Sequence, residues 1–492
     1  MLIKAQLQRA PLCGRLCNFQ IPARIRLPAH ESGRYPSLKR FGRRNNKILL
    51  TDRTPAVCSS TVKELTPLTQ SPAGNPLARL YVALLPGPLK YSPSLLVPVA
   101  AILSTFGAVY GSTWVSAALA LIPSEVLAAV PITHHVAGFY GHHPGFCNML
   151  INTAFSLAAA LFVFIILPAG DFIIGEEPPE ADENMESLQN EGAYRAVLYT
   201  CVAAHWVTLL TAMHLVGTTS INPLAMLGLA LSLGCEGGLL FTVAHELLHS
   251  TKPLDKALSN VLLCSVGYMH WTCSHLAHHR NVATLRDPAS ARLGESLYMF
   301  LPRSVVGNLR DGVVMELDRL RARQLPFFCL QNRIAWWLGV PAALLLGTGV
   351  MWGPLAAALG VTQALLAIII LEDVNYIEHY GLQRALTKAG RRVTVICMIE
   401  RTTAKHSWNG NWLLTNSVIF RLQRHSDHHA HASRPYQMLR NVPDAPQLPA
   451  CYPAMMILAL CPPLFHRIMD PRVLCKGPVR ELLYNSCVDC PE

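Results

Sequence analysis

The chain has 492 residues, of which 51% are hydrophobic and only 14% charged, with a mean hydropathy of +0.30. Soluble globular proteins carry about 25% charged residues, so this balance excludes that class as the default and points to a protein built largely within a membrane. The net charge of +11 does not describe a basic folded surface: residues 1–75 hold 13 Lys/Arg against 3 Asp/Glu and the remainder is nearly neutral, which argues against a nucleic-acid binder.

Residues 1–80 form a basic tail rich in Pro, Ser and Arg, including Arg24, Arg26, Arg34, Lys39, Arg40, Arg43 and Arg44. Its composition suits an organellar transit segment, or equally a disordered cytosolic tail that touches anionic lipid. No apolar core follows a short basic start, which argues against a cleaved secretory signal. A spanning helix needs about 20 mostly apolar residues. Runs of that kind lie near 94–118, 149–169, 194–217, 223–244, 334–352 and 355–376, so six spans are expected. A further run near 113–132, broken by Pro123, Ser124 and Glu125, suggests part of a hairpin or a re-entrant segment, with seven spans as the other count.

The acidic stretch 171–193 reads as a loop, and 251–333 and 377–492 are polar with short apolar patches. Met351-Trp352-Gly353-Pro354 is a tight connector that returns the chain to the side it left, so both polar segments face one compartment. Their Lys/Arg density makes that side cytosolic or its equivalent, and leaves the organelle open, with endoplasmic-reticulum and mitochondrion-type targeting both compatible. The 15 cysteines show no framework spacing and read as reduced, mostly small apolar residues. Cys487 and Cys490 lack the second pair that an iron-binding knuckle needs, so they read as part of a short C-terminal tail, 473–492.

The 20 histidines carry the chemistry. His245 and His249, in "HELLHS", are four residues apart on the end of a span and share a helix face. His275, His278 and His279 follow at i, i+3 and i+4. His379 sits at the exit of the last span, and His425, His428 and His429 repeat the i, i+3, i+4 pattern. Packing gives no reason to gather imidazoles that repel one another once protonated, whereas a metal requires them neutral. Nine exceed the three or four that one tetrahedral zinc uses, so they suit two metals with open positions. Imidazole accepts Fe, Zn, Cu and Ni, so spacing alone does not choose the metal. "HELLH" by itself is also a zincin motif with Glu246 as base, but that leaves the other clusters unexplained. A metal transporter would place its ligands at the bilayer midplane instead of at the surface.

His134, His135, His142 and His143, in "HHVAGFYGHH", lack helical spacing and read as non-ligands. His205 and His214 lie inside a span and are expected to bond to neighbouring helices. His270, His406 and His431 lie near the clusters. Glu246, Asp287, Asn375, Glu378 and Asp427 stand close enough in sequence to accept the second N–H of a ligand imidazole and fix its tautomer; the plainer reading for each is a cap or surface group.

"HELLHS", "NYIEHYGL", "LQRHSDHHA", "VATLRDPASARLGES", "SWNGN" and "RPYQMLRNVPDAPQLPACYPAMMILALCPPLF" resemble segments of the membrane-bound alkane 1-monooxygenases, a branch of the membrane desaturase–hydroxylase group. The likeness runs from about 170 to 472; residues 1–80 show none and 110–148 looks like an insertion. It implies an all-α integral-membrane bundle of about six helices over 81–472, with a cytosolic histidine-rich cap holding a di-metal site. It also implies that the nine histidines hold two iron ions, with O₂ as co-substrate and two electrons from a rubredoxin- or ferredoxin-type donor and its reductase. The implied substrate is a hydrophobic molecule from the membrane, a medium-chain alkane or fatty-acyl-type compound hydroxylated at its terminal methyl. The second cluster departs from the family: Ser274 and Ala277 replace an acid and a Gly, and His-x-x-His-His is one residue short, as in acyl desaturases. Ser250 also replaces a basic residue after the first cluster. These departures keep a desaturase, or another lipid hydroxylase on the same scaffold, as the alternative. A catalytically silent relative is less compatible with an intact histidine set.

Overall fold

A computed structural model describes residues 75–122, 139–179, 191–389 and 396–476. The basic tail, His134, His135, Cys487 and Cys490 lie outside the described residues, as does most of the apolar run after Ile122. Among the described residues the fold is helical apart from one two-stranded antiparallel hairpin, β1 (Leu386–Ala389) and β2 (Ile396–Ile399).

Five helices are long and apolar enough to cross a membrane. They are the stretch Gly87–Ala120, which ends in α2 (Leu96–Ala120) after the short α1 (Pro76–Leu84); α5 (Glu191–Thr218); α6 (Pro223–His249); α10 (Arg333–Trp352); and α11 (Pro354–His379). Helices α3 (Pro144–Ser156) and α4 (Ala158–Ile174) meet at 51°, and the pair is apolar enough to count as a sixth crossing if it is one broken span. The described residues thus hold five to six candidate spans, in keeping with the integral-membrane class. The outward side chains fit a lipid solvent: Leu346 and Val350 on α10 are 70% and 88% exposed.

Local chemistry sets the boundaries. Asn222 caps α6 through Ala225 N at 2.9 Å, with Pro223 at the first helical position. Asn332 caps α10 through Ile334 N at 3.0 Å. Gly353, with φ of 87°, supplies the left-handed residue that ends α10, and Pro354 opens α11, as the Trp352-Gly353-Pro354 spacing predicts. Helix α6 is the central, most buried span and packs closely along α11. A Cβ on Gly234 or Gly238 would lie 2.4 Å from Leu366 Cβ or Ile370 Cγ2, so the small-x-x-x-small pair lets the two backbones meet. Gly238→Val is expected to cost about 1–3 kcal/mol by overpacking. A thermal unfolding scan in detergent checks it, and an unchanged midpoint contradicts it.

The stretch 171–193 is not simply a polar loop. Helix α4 continues to Ile174, and Asp171 accepts hydrogen bonds from Leu414 N at 2.8 Å and Thr415 N at 3.2 Å, capping α12 (Leu413–Val418). Glu177 is buried and bridges Arg421 and Arg424, with Lys90 also on its carboxylate. Charge composition alone hides both roles, because each acid is buried by partners about 240 residues away in sequence. The rest of the cap is built from α7 (Pro253–Ser265), α8 (Trp271–Asn281), α9 (Leu297–Ala322), α13 (His425–Ala430), α14 (Tyr452–Ala459) and α15 (Pro462–Lys476).

Candidate metal centre

Four elements converge at one end of the bundle. Helix α6 delivers His245 and His249 from its last turn, α8 delivers His275, His278 and His279, α11 ends on His379, and α13 carries His425, His428 and His429. The nine imidazoles sort into two sets whose nitrogens lie within 4.8 Å of one another: His245, His249, His275, His279 and His428, and then His278, His379, His425 and His429. The sets adjoin, with the His279 and His429 ring centres 4.5 Å apart.

Adjacent residues on a helix point about 100° apart. On α8, His275 and His279 at i, i+4 enter the first set while His278 turns to the second. On α13 the assignment is reversed: His425 and His429 enter the second set and His428 crosses to the first. The two His-x-x-His-His helices thus exchange one ring each. This accounts for the tolerance of the short second cluster, because His275 at i−4 from His279 faces the same set.

The donor atoms suit a metal better than they suit one another. His275 Nε2 lies 3.0 Å from the Nε2 atoms of both His249 and His279, and His428 Nε2 lies 3.1 Å from His279 Nε2. In the second set His429 Nε2 and His425 Nε2 are 2.9 Å apart. Two nitrogens about 2.1 Å from a common ion and at right angles would stand about 3.0 Å apart. Buried His245 Nε2 and His379 Nε2 have no hydrogen-bond partner among the described residues, so both are free to bind an ion. Outside the spans, burial first and neighbouring imidazoles second hold His275, His425, His428 and His429 well below the usual imidazole range, keeping them neutral as ligation requires.

Of the five expected supporting residues, two reach a ligand imidazole and three bond elsewhere. Asp287 reaches a ring: its Oδ2 accepts from His278 Nδ1 at 2.8 Å and from Ser290 Oγ at 2.6 Å. Burial works to raise the Asp287 carboxyl, but His278 and these bonds outweigh it and hold it below the ordinary value. Glu378 also reaches the site, with Oε2 3.2 Å from His425 Nε2. Asp427 instead binds His431 Nδ1 at 3.1 Å, Arg440 N at 2.9 Å and Arg434, and so anchors the loop after α13. Glu246 accepts from Tyr436 N at 3.2 Å and lines a polar pocket beside His249. Asn375 donates to Glu372 at 3.1 Å.

Of the other histidines, His406 offers its carbonyl 3.4 Å from His379 Nδ1, and Glu400 holds its own ring at 3.0 Å. His205 meets Ser265 Oγ at 2.9 Å, as expected for a span residue, whereas His214 is exposed with its ring against Trp352. Exposed His142 and His143 join neither set, and buried His270 meets Tyr268 edge to face. Glu372 was not singled out in sequence. It accepts from Tyr268, Ser304, Asn308 and Asn375, and its place seven residues before His379 on α11 was the available signal. Trp408 pins the end of α11, donating from Nε1 to Tyr380 O at 2.9 Å and from its backbone N to Glu378 O at 2.8 Å.

An apolar cavity reaches the site from within the bundle. Leu239, Phe241, Val374, Ile419, Leu422 and Met456 wall it, and it ends on His245 and His275 of the first set and His425 of the second.

Residues 221–458 match the family model described as fatty acid desaturase. The chain is 41% identical to alkane 1-monooxygenase 1 of Pseudomonas aeruginosa over 67% of its own length and 84% of that protein's. It is 35% identical to alkane 1-monooxygenase of Acinetobacter baylyi, covering 66% and 78% of the two chains. A xylene/toluene monooxygenase hydroxylase component of Pseudomonas putida is 26% identical over 51% of this chain and 66% of its own. With spans, histidine sets and relatives in agreement, the chain belongs to the alkane 1-monooxygenase family of integral-membrane oxidoreductases.

Proposed function

We propose that the protein is a di-iron monooxygenase that hydroxylates the terminal methyl group of a medium-chain alkane or fatty-acyl-type substrate, using O₂ and two electrons. The observation that carries this reading is the apolar cavity ending on imidazoles of both sets. His245, His249, His275, His279 and His428 hold one ion, and His278, His379, His425 and His429 hold the other. Two adjoining sets of five and four imidazoles exceed what one tetrahedral zinc would use, which supports a pair of ions. The iron pair supplies an oxidising power that no side chain possesses.

The chain's own residues bind, aim and exclude water. Cavity walls take up the hydrocarbon and keep the reacting carbon dry. Asp287 fixes the ring of His278, and the His406 carbonyl fixes that of His379. Asp287→Ala is expected to lower iron affinity about 10–100-fold. Iron retained against a graded chelator series reads this out, and a wild-type profile contradicts it.

Part-exposed His249 is the ligand nearest the polar pocket. A rubredoxin- or ferredoxin-type donor, kept reduced by its reductase, delivers electrons from that aqueous side, which the Lys/Arg-rich segments mark as cytosolic or equivalent. The oxygenase domain spans 81–472, flanked by the two tails.

The short His275–His279 cluster favours one other reading, a desaturase on this scaffold. The test is purified protein in lipid with a rubredoxin and its reductase, given medium-chain alkanes and fatty-acyl esters under ¹⁸O₂. A labelled terminal alcohol is expected; an unlabelled alkene would transfer the protein to the desaturases.

A further inference from the structure

Asp287 and Glu378 both stand against ligand imidazoles, but on opposite sides of them. Asp287 takes the outward nitrogen of its ring, His278 Nδ1, at 2.8 Å, and also accepts from Ser290 Oγ and Ala289 N, so it holds that ring from outside. Glu378 Oε2 lies 3.2 Å from His425 Nε2, and that nitrogen is the inward one, 2.9 Å from His429 Nε2. The separation is close to the 3.0 and 3.1 Å between ligand nitrogens of the other set. Glu378 is buried, and it is the one acid among the residues that line the cavity. The Tyr452 hydroxyl donates to the same carboxylate and steadies it. The two sets are also unequal, five imidazoles against four. Nine neutral imidazoles bring no negative charge to two divalent ions inside a bundle, and buried charge is costly unless an opposite charge accompanies it. A carboxylate beside imidazoles is an ordinary donor set for ferrous iron.

We propose that Glu378 is a tenth metal ligand, its carboxylate joining His278, His379, His425 and His429 to bring the smaller set to five donors. This rests on the reading of the two sets as an iron pair. Glu378 and His379 are consecutive at the end of α11, so the last turn of that helix supplies two donors to one set. Because Glu378 also lines the cavity, the anionic donor stands on the side from which a hydrocarbon arrives.

The test compares iron-loaded wild type with Glu378→Gln and Glu378→Asp, by iron retained against a chelator series and by Mössbauer spectroscopy. Gln keeps the length and the hydrogen-bond acceptor but loses the charge, whereas Asp keeps the charge. Glu378→Gln should release one ion at about 10–100-fold lower chelator concentration, with one of the two ferrous signals altered and the other unchanged. Glu378→Asp should hold iron better than Glu378→Gln. A group that only accepts an N–H from the His425 ring would give the reverse order, because the Gln amide oxygen accepts the same N–H at the same reach. That reverse order, or a wild-type profile and spectrum in Glu378→Gln, would overturn the ligand and leave the iron pair standing. Wild type that takes up no iron would overturn both. Should neither variant fold, cobalt-loaded wild type grown on γ-deuterated glutamate decides. Far-shifted proton resonances that vanish on deuteration mark a ligating carboxylate, and their absence overturns it.

Discussion

Replacing His428 with Ala should abolish turnover and weaken iron binding in the set of five, so that iron falls below two ions per chain. His428 crosses from α13 into the set otherwise supplied by α6 and α8, with its ring 4.3 Å from that of His245. Its loss opens one set and leaves the other complete. His429→Ala should do the converse, emptying the set of four. His142→Ala is the control, because that exposed residue belongs to neither set, and it should keep full iron and full activity. Metal analysis and single-turnover assays on the three variants read the outcome. Full iron and full turnover in His428→Ala would remove the basis for the ligand assignment.

The second large effect is expected far from any ligand. Glu177 is buried between Arg421 and Arg424, with its Oε2 2.9 Å from Arg424 Nη2, and Lys90 completes the group. Arg424 immediately precedes His425, and Arg421 and Arg424 also donate to the carbonyl of Leu439 beyond α13. The cluster therefore fixes both ends of the segment that carries three of the nine imidazoles. Removing one partner of a buried ion pair costs about 3–5 kcal/mol, because the remaining charges stay buried without compensation. Glu177→Ala should lose about that much stability and bind iron poorly as a consequence. Denaturant unfolding of the lipid-solubilised protein tests it, and a change under about 1 kcal/mol would show the cluster to be solvated.

The histidine clusters were legible because a helix repeats its facing every three to four residues and spans have a minimum length. The same rules placed His245, His249 and His379 at span ends. The division of the rings into five and four was not legible. It depends on how α8 and α13 are rotated against each other, which side-chain packing decides and linear spacing does not. Among the supporting acids, Asp287 lies beside the His278 ring. Asp427 and Glu246 turned to Arg434 and Tyr436 instead, because partners elsewhere in the cap compete for the same carboxylates. Glu177 and Asp171 were hidden inside an acidic run whose composition resembles a solvated loop; only tertiary contact with Arg421, Arg424 and Thr415 distinguishes them.

The most direct measurement is iron per chain in the purified wild-type protein, reconstituted anaerobically and examined by Mössbauer spectroscopy. Two irons in two unequal nitrogen environments are predicted from a set of five imidazoles beside a set of four. One iron per chain, or two in indistinguishable sites, would contradict the division of the nine histidines.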